Sequence, residues 1–208
     1  TSLIHKASGR EALAGRGNQL WVYTIDKPRN WDAWDVEEDY AERGEALTDV
    51  ESIELIESSA TRAAVKIVRR YRASTITQIY VLTDNAVRLD IETSLDWHDR
   101  RVFLRTLTPV AARNERATFE CANGVVKRPT HQNTSWDQAM YEAAAHRFID
   151  LSEPGFGVAL TAHLPPCRSA PLRRSRRRAG AATGTPAPPA AACSAPAAVP
   201  IFCLESTA

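Results

Sequence analysis

Between residues 52 and 126 the chain repeatedly alternates apolar and polar side chains over short runs, and that repetition leaves few folds open to it. Ala63, Val65 and Ile67 alternate with Arg62, Ala64 and Lys66, and Val87, Leu89, Ile91 and Thr93 with Arg88, Asp90 and Glu92. A period of two places one set on the face of a sheet that packs and the other on the face that meets water. Residues 75–82 (Thr-Ile-Thr-Gln-Ile-Tyr-Val-Leu) and 20–25 (Leu-Trp-Val-Tyr-Thr-Ile) are β-branched and aromatic, which suits strands. Residues 52–57 form a shorter apolar run, and the run over 102–108 ends at Pro109. Between the runs stand turn residues: 26–30 (Asp-Lys-Pro-Arg-Asn), Asp84-Asn85, and Asn123-Gly124, a hairpin dipeptide between residues 117–122 and 125–126. The acidic stretch leading to Tyr40 suits a helical turn, and residues 157–160 (Gly-Val-Ala-Leu) begin one more strand.

Seven or eight short strands with few helical signals predict an all-β fold, an antiparallel β-sandwich. The largest interruption, residues 128–150, is polar and carries aromatics, and it reads as one long loop across an edge or mouth of a sheet. Long loops in compact domains are often functional. The strand beginning at Gly157 has no successor, so the sandwich is expected to be incomplete, with an unpaired edge.

Composition matters at one place. Residues 1–160 hold 20 Lys+Arg against 24 Asp+Glu, whereas residues 161–208 hold six Arg against one Glu, with 13 Ala, eight Pro and a single aromatic, Phe202. The second stretch buries too little apolar surface to offset the entropy of ordering it. The expected organisation is therefore one truncated β domain over 1–160 and a disordered Ala/Pro/Arg-rich tail over 161–208. The chain opens on Thr1 without a signal peptide, which suggests a piece of something longer. Cys121 is the one cysteine before the break, and Cys167, Cys193 and Cys203 follow it with no metal-ligand spacing. That usage fits a reducing, cytoplasmic compartment. No apolar run reaches the roughly 20 residues of a membrane span.

Several constellations could carry chemistry. Asp32 with Asp35 and Asp96 with Asp99 are carboxylate pairs of the kind glycoside hydrolysis needs, but carboxylates at such spacing are also ordinary surface or turn residues. His98, His131 and His146 lack metal-ligand spacing. The Arg run at 173–178 is short and has no interleaved aromatics, so neither nucleic acid nor a membrane is expected as a partner. Two aromatic groupings say more. Trp31 and Trp34, each followed by an aspartate, come after a Pro turn. In residues 128–137 (Arg-Pro-Thr-His-Gln-Asn-Thr-Ser-Trp-Asp) nine of ten side chains can hydrogen-bond or stack. An indole face stacks on a sugar ring while Asn, Asp and His bond its hydroxyls, although such a loop can equally bond only to its own sheet.

These segments also carry a resemblance. Residues 9–13 (Gly-Arg-Glu-Ala-Leu), 17–20 (Gly-Asn-Gln-Leu), 28–35 (Pro-Arg-Asn-Trp-Asp-Ala-Trp-Asp), 88–90 (Arg-Leu-Asp), 96–98 (Asp-Trp-His), 128–137 and 146–153 (His-Arg-Phe-Ile-Asp-Leu-Ser-Glu) resemble, in order, glycoside hydrolase family 38, the α-mannosidases, in its bacterial and cytosolic-type branch. The likeness spans roughly residues 5–160. It implies an enzyme that removes α-linked mannose with retention through a bound zinc ion. It also implies that the zinc ligands and the aspartate nucleophile lie in an upstream α/β barrel followed by a helical bundle. Neither is in this sequence, which resembles the C-terminal β-sandwich region alone. No catalytic or metal-binding residue is therefore assigned here. The resemblance makes His131, Asn133, Thr134, Trp136 and Asp137 the expected substrate-proximal loop, with Trp31, Asp32, Trp34 and Asp35 as a secondary group.

Beyond residue 160 the resemblance stops. Relatives continue with a Leu-Asn-Asp stretch and Lys-Tyr-Gly, whereas this chain continues Thr-Ala-His-Leu-Pro-Pro-Cys. A shifted reading frame or an unrelated fusion is the expectation. The functional expectation is a β-sandwich piece of a zinc-dependent α-mannosidase, not catalytic alone. Its partners would be the missing barrel and helical domains and, through the whole enzyme, a mannose-containing oligosaccharide. The rival expectation is a stand-alone carbohydrate-binding or interaction module.

Overall fold

The structure, a computed structural model, describes residues 2–24 and 38–162 and, further on, the backbone of Phe202 and Cys203. In chain order it contains β1 (Ile4–His5), β2 (Arg10–Glu11), β3 (Gln19–Thr24), a 3-10 helix (Glu38–Arg43), β4 (Gly44–Ala46), β5 (Ser52–Ser58), β6 (Arg62–Tyr71) and β7 (Ser74–Thr83). There follow β8 (Leu89–Asp96), β9 (Val102–Leu107), β10 (Arg116–Cys121), β11 (Gly124–Pro129), the short helix α1 (Ser135–Ala139), β12 (Phe148–Glu153), β13 (Phe156–Thr161) and β14 (Phe202–Cys203). The strands form a two-stranded ribbon, β1-β2, and three four-stranded sheets ordered β14-β9-β3-β4, β5-β6-β7-β8 and β11-β10-β12-β13. Among the described residues every pairing is antiparallel except that of β14 with β9. The all-β, sandwich-like expectation holds.

β6, β7 and β8 make the longest meander, with unbroken register from Arg62↔Thr83 to Tyr71↔Ser74. Alternation sorts its side chains. One face carries Ile53, Leu55, Val65, Ile67, Ile76, Gln78, Tyr80 and Leu82 in register. Ile76 and Gln78 are fully buried at its centre, whereas Ile53 and Leu55, on the edge strand β5, are 66% and 63% exposed. Buried Gln78 is satisfied: its amide oxygen accepts from Arg69 (3.1 Å) and from the Tyr80 hydroxyl (3.3 Å), and its amide nitrogen donates to Thr93 (3.2 Å). Asn18, just before β3, donates in turn to the Tyr80 hydroxyl, which links the two sheets.

In the sheet of β10 to β13, inward residues recur at every second position. Ala117, Phe119, Ile149 and Leu151 are buried together with Val110 and Ala112, and Val126, Ala143, Ala145, Phe156 and Val158 pack around them. Each large aliphatic or aromatic side chain buried this way contributes about 1.5–3 kcal/mol.

β3 shows both faces of the third sheet. Leu20 and Val22 point into a buried face opposite Thr106 and Leu104. Trp21 and Tyr23 point the other way, opposite Arg105 and Phe103. Tyr23 pairs with Gly44 on β4, and a Cβ added at Gly44 would stand 2.5 Å from the Tyr23 ring. Glycine at 44 is thus required by close approach of the ring.

Three sequence expectations are corrected. Residues 128–150 are not one loop: they contain α1, and β12 begins at Phe148. The alternation Phe-Ile-Asp-Leu-Ser-Glu, with Ile149 and Leu151 inward, drives that strand into the sheet beside β10. The hairpin of β10 and β11 pairs Cys121 with Gly124, so its turn residues are Ala122 and Asn123, one position earlier than the Asn-Gly dipeptide suggests. The polar opening of the chain contains β1, β2 and a bridge from Leu13 to Val110. The expected helical turn near Tyr40 is present as the 3-10 helix. Residues 161–208, apart from Thr161, Ala162 and the two residues of β14, lie outside the described residues, as does the secondary group Trp31, Asp32, Trp34 and Asp35.

Candidate functional site: the 130–142 turn

β11 delivers the chain to this segment. Past Pro129, Thr130 turns it by donating its N–H to the Glu115 carbonyl (3.0 Å) and its hydroxyl to the Asn114 carbonyl (2.6 Å). α1 follows, with no buried residue to hold it. A five-residue helix cannot persist on propensity; this one is held at its start. Thr134 is the N-cap in extended geometry, φ −122° and ψ 160°. Its hydroxyl oxygen accepts the Asp137 N–H (3.2 Å), and the Asp137 carboxylate accepts the Thr134 N–H (3.1 Å) and hydroxyl (2.7 Å). This reciprocal arrangement is a capping box, with aspartate in the role usual for glutamate. Nδ1 of His131 stands 3.5 Å from the same carboxylate.

The five expected loop residues therefore come together, in two groups. Asp137 is half-buried and committed to the cap, with His131 beside it and Thr134 as its partner. Trp136, by contrast, is 81% exposed. Asn133 is exposed, and no hydrogen bond of its side chain occurs among the described residues. The surface offered to a ligand is thus an indole face, a primary amide and an imidazole edge. Such a set can stack on and hydrogen-bond a polar ring. Within residues 131–137 the one carboxylate, Asp137, already serves Thr134 and faces His131.

The other candidates separate. Asp99 accepts from buried Ser74 (2.5 Å), and the Ser74 oxygen accepts the His98 and Asp99 N–H groups (2.8 and 3.2 Å). That network fastens the chain after β8 to the β6–β7 turn. Asp96 lies 2.9 Å from His98 Nε2 at an exposed position. Asp96 and Asp99 therefore do not face one another across a cleft as a hydrolytic pair. Among the described residues no group of three or more His, Cys, Asp or Glu side chains could hold a metal ion.

Sequence reasoning missed the group that fastens the turn from behind. Arg105 of β9 is 2% exposed. Its two terminal nitrogens donate to the two oxygens of Glu142, at 2.6 and 2.9 Å, in a bidentate pair. Tyr40, on the 3-10 helix, donates its hydroxyl to the same carboxylate, and its ring lies 5.3 Å from the Arg105 guanidinium. Tyr40 meets Tyr23 edge-on at 5.1 Å and Phe103 at 6.2 Å, so the charge pair sits in an aromatic enclosure. Burial pushes the Glu142 carboxyl above the ordinary carboxylate range, and the charge and hydrogen bonds of Arg105 pull it back. The available signal was an arginine at the inward-alternating position of an apolar strand, two residues after Phe103.

Comparison with known proteins agrees with the motif order. Residues 1–163 match the Glycosyl hydrolases family 38 C-terminal domain. Alpha-mannosidase 2C1 of Homo sapiens is 38% identical over 164 residues, covering 77% of this chain and 16% of that protein. Alpha-mannosidase G of Dictyostelium discoideum is 32% identical over 167 residues, covering 76% and 15%. An alpha-mannosidase of Saccharomyces cerevisiae is 34% identical over 160 residues, covering 73% and 14%. The chain thus spans about a sixth of the length of these relatives. On its matching residues, this chain belongs to glycosyl hydrolase family 38, as a C-terminal domain of that family.

Proposed function

We propose that residues 1–160 serve as the β-domain of a retaining, zinc-dependent α-mannosidase that removes α-linked mannose from glycans, and that this chain is not catalytic alone. The observation that carries the reading is the 130–142 turn. It presents Trp136 to solvent on a capped turn, beside polar groups suited to sugar hydroxyls, while the Asp137 carboxylate is held by Thr134. Such a surface contacts a sugar; it does not protonate a leaving group or form a glycosyl bond. The described residues do not fit a zinc ion. On this reading the ion, the nucleophile and the acid sit in the barrel and helical portions of the longer relatives, which are then this domain's partners. In such an enzyme zinc would supply Lewis-acid polarisation of the substrate. The reading includes a cytoplasmic location, supported by the single cysteine of residues 1–160. No helix among the described residues is long and apolar enough to cross a membrane.

A second reading is favoured by the exposure of Trp136: a stand-alone carbohydrate-binding module. Calorimetry with mannose and α-linked manno-oligosaccharides separates the two. Heat that disappears on Trp136→Ala supports the module, because a lone stacking platform then suffices. No heat supports the incomplete-site reading, in which the rest of the enzyme must close the sugar pocket.

A further inference from the structure

We propose that Arg105 is a positioning residue that holds the 130–142 turn and the 3-10 helix in one arrangement, so that neither shifts alone. The 130–142 turn overlaps one of the two motifs singled out in the sequence, and the 3-10 helix follows the other. Glu142 stands five residues after Asp137, and Tyr40 five residues after Asp35. Both side chains converge on one buried guanidinium: Glu142 by two charge-assisted hydrogen bonds, Tyr40 by its ring face and by its hydroxyl on the same carboxylate.

The physical reason is the asymmetry of buried charge. An arginine cannot shed its proton, and an unpaired one in an aromatic enclosure is strongly unfavourable. If the turn lifted away, Glu142 would leave Arg105 without its counter-ion and Tyr40 without its acceptor. If the helix left, the carboxylate would lose a donor and the guanidinium its ring. Arg105 already leaves its Nε–H without a partner among the described residues, so it has no alternative acceptor in place. The far end of the turn is fixed independently by the His146 N–H on the Glu120 carbonyl (3.1 Å) and by Ala143 and Ala145 against the core. The part free to shift is therefore the stretch before Glu142, which carries His131 to Asp137. That this stretch meets a sugar rests on the function proposed above; the coupling does not.

Hydrogen–deuterium exchange of the full 208-residue chain tests it, without any sugar present. Glu142→Gln is expected to raise amide exchange about tenfold or more both in residues 128–147 and in residues 38–46, the range expected for losing charged hydrogen bonds. Tyr40→Phe is expected to raise exchange in both segments less strongly. Arg105→Lys, which keeps the charge but not the fork, should fall between wild type and Arg105→Met. Residues 62–83 of the long meander report on the fold. If Arg105→Met loses protection there, the Glu142 and Tyr40 variants carry the test. Exchange that rises only in 128–147, or in neither segment, overturns the proposal. An unchanged kcat/KM for Trp136→Ala in a longer α-mannosidase, beside coupled exchange here, would count against the proposed function and leave this coupling standing.

Discussion

The carboxylate of Asp137 accepts both the backbone N–H and the hydroxyl of Thr134, at 3.1 and 2.7 Å, and that pair holds the only α-helix among the described residues. The expected effect of Asp137→Ala or Thr134→Ala is a loss of about 1 kcal/mol, the usual worth of an N-cap, confined to the turn. Chemical denaturation should show a small shift in midpoint with an unchanged slope. A loss several times larger would mean that Asp137 holds more than the turn.

Trp136 is the complementary case. At 81% exposure it packs on almost nothing. Trp136→Ala should change stability by no more than about 0.5 kcal/mol. In a longer α-mannosidase carrying this domain, the same substitution should lower kcat/KM for mannosides without altering the melting temperature. A marked drop in melting temperature would identify Trp136 as a packing residue and remove it from the site.

Arg105 and Glu142 should behave as a unit. Removing either partner, by Arg105→Met or Glu142→Ala, leaves a buried charge or acceptor unpaired and should cost about 3 kcal/mol. Removing both should cost less than the two single changes added together, because neither charge is then stranded. Denaturation of the four members of the cycle measures this; additive losses would show that the pair does not interact as the 2.6 and 2.9 Å hydrogen bonds indicate.

Acid should weaken the fold at other carboxylates than Glu142. Glu11 is held below the usual carboxylate range by the Ser2 hydroxyl and the Leu3 and Leu13 N–H groups, and Glu153 by the Arg113 N–H and by Arg10. A carboxyl whose folded value is lowered contributes stability above its unfolded value, about 4.3 for Glu, and loses it as pH falls through the folded value. Glu142 has the opposite sign: its raised value contributes below the unfolded value and is lost as pH rises through the folded one. Carboxyl titration by NMR should therefore place Glu11 and Glu153 below free glutamate and Glu142 above it. On acidification the Arg105–Glu142 enclosure should report its proton uptake first, at higher pH, and the β1-β2 ribbon and the Arg10–Glu153 pair should loosen only at lower pH.

Gly44 offers a steric test. Gly44→Ala places a methyl 2.5 Å from the Tyr23 ring, which is itself packed against Tyr40 and Phe103. The ring cannot yield freely, so a loss of about 1–3 kcal/mol from overpacking is expected. An unchanged melting temperature would mean that β4 can move away from β3.

The strands were legible wherever alternation ran uninterrupted. β6 and β8 follow from Ala63-Val65-Ile67 and Leu89-Ile91 because a half-exposed sheet imposes a period of two on the chain. β12 was hidden, although Ile149 and Leu151 alternate with Asp150 and Ser152, because the polar turn before it has no sequence boundary. The two-residue strands β1 and β2 are too short to show a period at all. In the site, Thr134 and Asp137 had cap spacing, but only the fold shows that they cap one another and start a helix. The Arg105–Glu142–Tyr40 node was invisible because Glu142 and Tyr40 stand 37 and 65 residues from Arg105 along the chain, and only the fold brings them together. Arginine in a strand reads locally as a solvent-facing residue.

The most direct measurement is hydrolysis of an aryl α-mannoside by the purified 208-residue chain, with zinc supplied and then chelated. No release of the aglycone above buffer is expected in either condition, because the described turn offers a sugar a stacking face and hydrogen-bonding groups, and no cluster of His, Cys, Asp or Glu among the described residues could hold a metal ion. Turnover that persists through purification, and that chelation abolishes, would contradict it.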